Sequence, residues 1–127
     1  MMQRFTDDAQ RVLSFAQEAA LELGHDYVGT EHVLIGLTKV KNGVAAKALE
    51  ELNIVTEDIF EAVEEQVGRG NKKATSIYMT PRVKNVLELA VQVANRMNHT
   101  YVGTEHILLG LLSDGGGVAV GIFRDMN

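Results

Sequence analysis

The sequence predicts an all-α fold: two pseudo-symmetric helical repeats, about four helices followed by three, packed as one domain. Three observations predict it. Tyr27-Val28-Gly29-Thr30-Glu31-His32 recurs letter for letter as Tyr101-Val102-Gly103-Thr104-Glu105-His106, an offset of 74 residues. The register holds without a gap over 6–53 and 80–127, where about 19 of 48 positions are identical, so one folding unit is used twice. The apolar residues fall at helical spacing throughout. A chain of 127 residues is enough for one core without metal or disulfide staples. The whole span 1–127 therefore divides into a first repeat at about 5–67, a linker at 68–79 and a second repeat at about 80–127.

The first helix is marked by Ala9, Val12, Leu13, Ala16, Ala19, Ala20 and Leu23, an i, i+3, i+4, i+7 stripe. Its copy carries Val83, Val86, Leu87, Ala90, Val93, Ala94 and Met97. Thr6 and Thr80 stand at the N-cap position, and Pro81 takes the first helical position, where its missing N–H costs nothing. Gly24 and Asn98 close the two helices in the left-handed conformation usual after a helix. A second helix starts after Thr30 and runs through Leu37, with its copy from Thr104 through Leu112. A third covers Val44–Leu52. A fourth opens at the cap Thr56, with Glu57 and Asp58 favourable against the dipole, and ends near Val67. The polar stretch 68–76 joins the repeats. Asn127 is the counterpart of Asn53, so the second repeat lacks a counterpart of the helix at 56–67. Gly115, Gly116, Gly117 and Gly121 weaken the seventh helix, at about 1 kcal/mol per helical glycine. The segment 113–127 is thus expected to be less ordered, or packed differently, than 39–53, and an apolar face beside it to be left uncovered.

Composition excludes several functions. There is no Cys, which removes disulfides, thiolate zinc sites and thiol nucleophiles. The net charge of −5 and the lack of a Lys/Arg stripe argue against nucleic acid. No apolar run approaches membrane-spanning length and no signal peptide opens the chain, so a soluble cytoplasmic protein is expected. No phosphate-cradling Gly-x-x-x-x-Gly-Lys-Ser/Thr loop, nucleophile elbow or His-Glu-x-x-His helix occurs, so no catalytic residue and no cofactor is assigned.

The remaining chemistry lies in Gly-Thr-Glu-His at a helix start. First-turn amides and the positive dipole end attract anions, and Glu31 or Glu105 can accept two bonds from a guanidinium. The same residues read equally well as a threonine cap and a dipole-favourable glutamate. His25 with His32, and His99 with His106, recur as pairs, but no third ligand recurs except Glu31 or Glu105. Backbone hydrogen bonding is therefore expected in place of metal. Tyr27 and Tyr101 read as packing residues with a wet hydroxyl. Met2, Tyr78 and Met79, just outside the first helices, form either a soft apolar rim or the edge of the core.

The double Gly-Thr-Glu-His motif, Gly43-Val44-Ala45-Ala46-Lys47, Gly68-Arg69-Gly70 and Thr80-Pro81-Arg82 occur in order along nearly the whole chain. In this the sequence resembles the N-terminal repeat domain of Clp-family AAA+ unfoldases, the ClpC type above all. The resemblance implies a non-catalytic domain that recognises substrates and adaptor proteins, with ATPase modules and peptidase supplied by other domains or subunits. It also implies phosphoarginine-marked proteins as ligands, at two equivalent, solvent-accessible sites formed by Thr30 with Glu31 and Thr104 with Glu105. A free-standing helical adaptor or scaffold without an attached ATPase is the alternative.

Overall fold

The computed structural model describes residues 4–71, 73 and 76–126; Met2 lies outside them. Among the described residues seven helices are found: α1 (Asp7–Glu22), α2 (Thr30–Lys39), α3 (Val44–Glu51), α4 (Thr56–Gln66), α5 (Pro81–Arg96), α6 (Thr104–Asp114) and α7 (Gly117–Met126). No single helix among the described residues is long and apolar enough to cross a membrane.

The helix ends follow the sequence at α1 and α5. Thr6 Oγ1 accepts from Ala9 N at 3.1 Å and Thr80 Oγ1 from Val83 N at 3.2 Å. Gly24 (φ 75°) and Asn98 (φ 60°) take the left-handed turn after each helix. The stripe of α1 is fully buried, Leu23 included. Its copy departs toward the end, where Val93 is half-buried and Met97 is 47% exposed. The linker returns to the end of α1: Gly70 N donates to Leu23 O at 2.8 Å, and Arg69 donates to Glu22 O at 3.1 Å. Thr56 is also not a cap. It is the first residue of α4 after the N-cap Val55, and its hydroxyl donates to Thr38 Oγ1 at 2.9 Å.

Within each repeat a helix pair crosses closely, α1 on α2 and α5 on α6. Gly36 and Gly110, 74 apart, sit at the crossings, where any Cβ would run into the backbone carbonyl of Val12 or Val86. Between repeats the exchange is reciprocal. The short strand β1 (Tyr27–Val28) lies parallel to β2 (Tyr78–Met79), and Phe5 forms the matching bridge to Val102. Such two-residue pairings were not expected from the helical periodicity. They seat the start of each repeat on the middle of the other: Thr80 N donates to Val28 O at 3.1 Å and Thr6 N to Val102 O at 3.0 Å. Helix α7 packs on α2 and α3 on α6, and one continuous core takes residues from both repeats.

Symmetry fails where α4 lies. Ile35 on α2 is fully buried and α4 packs on that helix, whereas the counterpart Leu109 on α6 is 39% exposed. Helix α7 forms despite its glycines but packs differently from α3. It buries Ala119, Val120 and Ile122, whereas α3 buries Ala45, Ala46 and Leu49. Gly117 (φ 86°) opens that helix and Gly121 lies in its interior; Gly115 (φ 73°) instead ends α6 in the left-handed conformation.

Candidate functional site

Each Gly-Thr-Glu-His motif opens a helix, but the glycine is the N-cap and the threonine the first helical residue. The expectation that the threonine hydroxyl serves its own first turn is corrected. Thr30 Oγ1 accepts from Ala119 N at 3.2 Å, and Thr104 Oγ1 accepts from Ala45 N at 3.2 Å. Each hydroxyl therefore supplies an acceptor to the first turn of the third helix of the opposite repeat, whose early amides have no intrahelical partner. Gly43 and Gly117 permit this approach, since a Cβ on either would stand 2.8 Å from the threonine oxygen.

The glycine of the motif has a separate cause. A Cβ at Gly29 or Gly103 would meet the carboxylate of Glu31 or Glu105. The histidine, at the third helical position, returns a ring nitrogen to the cap amide, as in half of a capping box. Gly29 N–H donates to His32 Nδ1 at 2.9 Å, which leaves the proton of neutral His32 on Nε2. His32 Nε2 then donates to His25 Nδ1 at 2.9 Å, and His25 Nε2–H donates to Gly68 O at 2.9 Å. The second repeat repeats the first two links, Gly103 N to His106 Nδ1 and His106 Nε2 to His99 Nδ1, each at 2.8 Å. This polarity requires both rings to be neutral. Burial pushes His32 down to about 4, and it lowers His106 as well. The histidines are thus engaged with each other and with backbone, and among the described residues no group of three His, Asp or Glu is placed to hold a metal.

Around each motif the opposite repeat completes a cleft. The first, of about 290 Å³, is lined by Tyr27, Gly29, Thr30, Glu31, Thr80, Arg82, Gly117 and Val118. The second, of about 170 Å³, is lined by Thr6, Asp8, Asn42, Gly43, Val44, Tyr101, Gly103, Thr104 and Glu105. Both place the start of a third helix beside a glutamate, and the 74-residue offset pairs every residue of the first with one of the second, which adds Asn42. They are not equal in burial. Glu31 is 3% exposed, against the expectation of an open site, while Glu105 is half-buried. Burial raises the Glu31 carboxyl above its ordinary range, only partly offset by its own backbone amide and by the Tyr27 hydroxyl, which donates at 3.4 Å. Burial and the Glu31 charge together push Tyr27 up to about 12.

Arg82, Asp8, Thr80 and Thr6 were not assigned to the site by sequence. Their signal was present in the offset, which pairs Arg82 with Asp8 at the second residue of α5 and α1. Arg82 Nη1 donates to Asp114 Oδ2 at 2.6 Å, and Asn85 Nδ2 donates to Asp114 Oδ1 at 2.7 Å. Burial works to raise Asp114, but these bonds and the guanidinium charge outweigh it and hold the carboxyl below its ordinary value. The same guanidinium lies against Gly116, where a side chain would displace it.

A family model described as the Clp repeat (R) N-terminal domain matches residues 4–126. The Bacillus subtilis (strain 168) protein named negative regulator of genetic competence ClpC/MecB is 49% identical over 126 residues, covering 99% of this chain and 16% of the relative. The Staphylococcus aureus (strain USA300) ATP-dependent Clp protease ATP-binding subunit ClpC is 46% identical over 124 residues, 98% of this chain and 15% of the relative. Among solved structures, the N-terminal domain of ClpD from Arabidopsis thaliana matches with a TM-score of 0.82 at 29% identity. That match covers 99% of this chain and 89% of the other.

Proposed function

Because the chain belongs to the Clp repeat N-terminal domain family, we propose that it is the non-catalytic recognition domain of a ClpC-type unfoldase–protease, capturing adaptor proteins and substrate proteins that carry phosphoarginine. ATP hydrolysis and peptide cleavage then lie in other domains or subunits. Capture raises the effective concentration of the substrate beside them.

The observation that carries this reading is the first cleft's pair of unlike charges. Glu31 and Arg82 both line it, yet the salt bridge of Arg82 is made to Asp114 and not to Glu31. A phosphorylated arginine side chain carries the complementary pair, guanidinium N–H groups next to a phosphoryl group. Glu31 accepts from the guanidinium, whose positive charge offsets the cost of burying the carboxylate. Arg82 and the first residues of α7, Gly117 and Val118, receive the phosphoryl oxygens, because a helix N-terminus favours an anion. Thr30, already accepting from Ala119, acts by fixing that helix end.

Titration calorimetry with free phosphoarginine, with arginine and phosphoserine as controls, tests the reading. Binding of phosphoarginine alone is expected. Glu31→Gln is expected to weaken it about tenfold or more, the equivalent of one charge-assisted bond. Since burial raises the Glu31 carboxyl, the ionised form costs stability at neutral pH. Glu31→Gln should therefore melt no lower than the parent. Unchanged affinity in that variant, or equal binding of phosphoserine, refutes the assignment.

A further inference from the structure

The two clefts share a backbone plan, so their difference in charge decides what each accepts. In the first, Arg82 supplies a guanidinium opposite the Glu31 carboxylate. In the second, the position equivalent to Arg82 is Asp8, so the lining carries two carboxylates, Asp8 and Glu105, and no cation. The nearest cation attached to it, Arg11, is bound to Asp8 at 3.1 Å and does not line the cleft. The support for Arg82 is also one-sided. Asp114, which orients Arg82, corresponds to Val40, and Gly116, over which the guanidinium lies, corresponds to Asn42.

We infer that the clefts are not equivalent: a phosphorylated guanidinium binds in the Glu31–Arg82 cleft and is rejected by the Asp8–Glu105 cleft, with Arg82 and Asp8 as the residues that set this specificity. The inference rests on the phosphoarginine reading above and reduces to one the two equivalent sites that the family resemblance implies. The physical reason is that a phosphoryl group has a helix N-terminus in both clefts, but that attraction is modest. A carboxylate at close range repels the phosphoryl oxygens by a comparable or larger amount, whereas a guanidinium adds a charge-assisted hydrogen bond of matching geometry. Like charges facing each other in a partly desolvated cleft exclude the wrong ligand more sharply than a missing contact does. A second difference acts in the same direction. Glu31 is the more buried glutamate, so its bond to the guanidinium is made with less competition from water.

The test combines titration calorimetry with backbone-amide NMR of the whole chain, using free phosphoarginine as the probe and arginine as the control. In the parent, one equivalent is expected, with shifts at Gly29–Glu31 and Gly117–Val118 and none at Gly103–Glu105 or Gly43–Val44. Arg82→Gln is expected to weaken that site about tenfold or more. Asp8→Arg is expected to create a second equivalent, with new shifts at Gly103–Glu105, and it keeps the inference testable if Arg82→Gln disturbs the fold. Two equivalents of similar affinity in the parent, or an Asp8→Arg protein that still binds one, overturn the inference while leaving the phosphoarginine reading in place. No binding of phosphoarginine by the parent overturns both.

Discussion

The histidine relay makes folding stability depend on pH in a direction that can be worked out. His32 is fully buried, accepts from Gly29 N–H and donates to His25, so a second ring proton has no acceptor. Its folded value near 4 lies below the ordinary 6.5 because burial, and then the His25 ring, disfavour the cation. A depressed folded value means that the unfolded chain binds the proton first. Stability is therefore complete above pH 6.5 and declines as pH falls toward 4. At 1.36 kcal/mol per pH unit, the full difference is about 3 kcal/mol, of which about 2 kcal/mol is lost by pH 5. Glu31, with a raised value, has the opposite sign, since it favours the folded state as pH falls toward its ordinary 4.5. A comparison with His32→Gln cancels that contribution. Glutamine at the third helical position can still accept the cap amide but does not titrate. Urea denaturation followed by circular dichroism at pH 7.5, 6 and 5 should show the parent losing about 2 kcal/mol more than His32→Gln over this range. Parallel profiles for the two proteins refute the reasoning. So does a His32 imidazole that titrates near 6.5 in the folded state.

Two further outcomes follow from the packing between repeats. Thr30→Val and Thr104→Val remove the acceptors for Ala119 N and Ala45 N and should each cost about 1 kcal/mol, read as a drop of about 4 °C in Tm. Serine at either position should restore most of it, and an unchanged Tm in both valine variants rules out the cross-repeat caps. Gly36→Ala should cost about 2 kcal/mol or more, because its Cβ meets the Val12 carbonyl in a helix crossing that cannot open locally. Gly121→Ala, which has open space around it, should instead stabilise by about 0.5–1 kcal/mol. Equal effects of these two substitutions on thermal melts contradict the crossing geometry.

What could be read from the sequence was whatever local periodicity and duplication encode. The stripes of α1 and α5, the caps Thr6 and Thr80, Pro81, and the left-handed Gly24 and Asn98 are local choices that agree with the fold. The motif residues Thr30, Glu31, Thr104 and Glu105 do sit at paired helix starts, yet the work of the threonines was misread. A hydroxyl bonding to a residue 89 positions away leaves no mark in local spacing. The same holds for Thr56, which looks like a cap and bonds to Thr38. Met97 reads as core by its spacing, yet it is 47% exposed while its counterpart Leu23 is buried, because burial depends on distant chain that periodicity cannot show. The glycines at 116 and 117 read as helix weakness. They stand where Arg82 and Thr30 approach the backbone, and their meaning appears only once those side chains are placed.

The construction of each cleft from both repeats explains why the two can differ at all. Glu31 comes from the first repeat, whereas Arg82, Thr80 and the start of α7 come from the second. The other cleft reverses the contributions. Neither repeat alone holds a complete site, much as a twofold dimer builds identical sites across its interface. In such a dimer one residue serves both interfaces, so any substitution appears twice. Covalent duplication removes that constraint. Asp8 and Arg82 occupy the same place in the unit but are separate positions in the chain, so one cleft can carry a guanidinium while the other carries a carboxylate. The capping threonines, the neutral histidine relay and the crossing glycines are identical in the two copies because both halves need them to fold. At position 8 and position 82 the side chain is not required for folding in the same way, since the helix start is already satisfied by Thr6 or Thr80. The charge there is therefore free to differ between the two clefts, and equivalent positions across the 74-residue offset divide into residues shared by both copies and residues, Asp8 and Arg82, through which the proposed specificity would act.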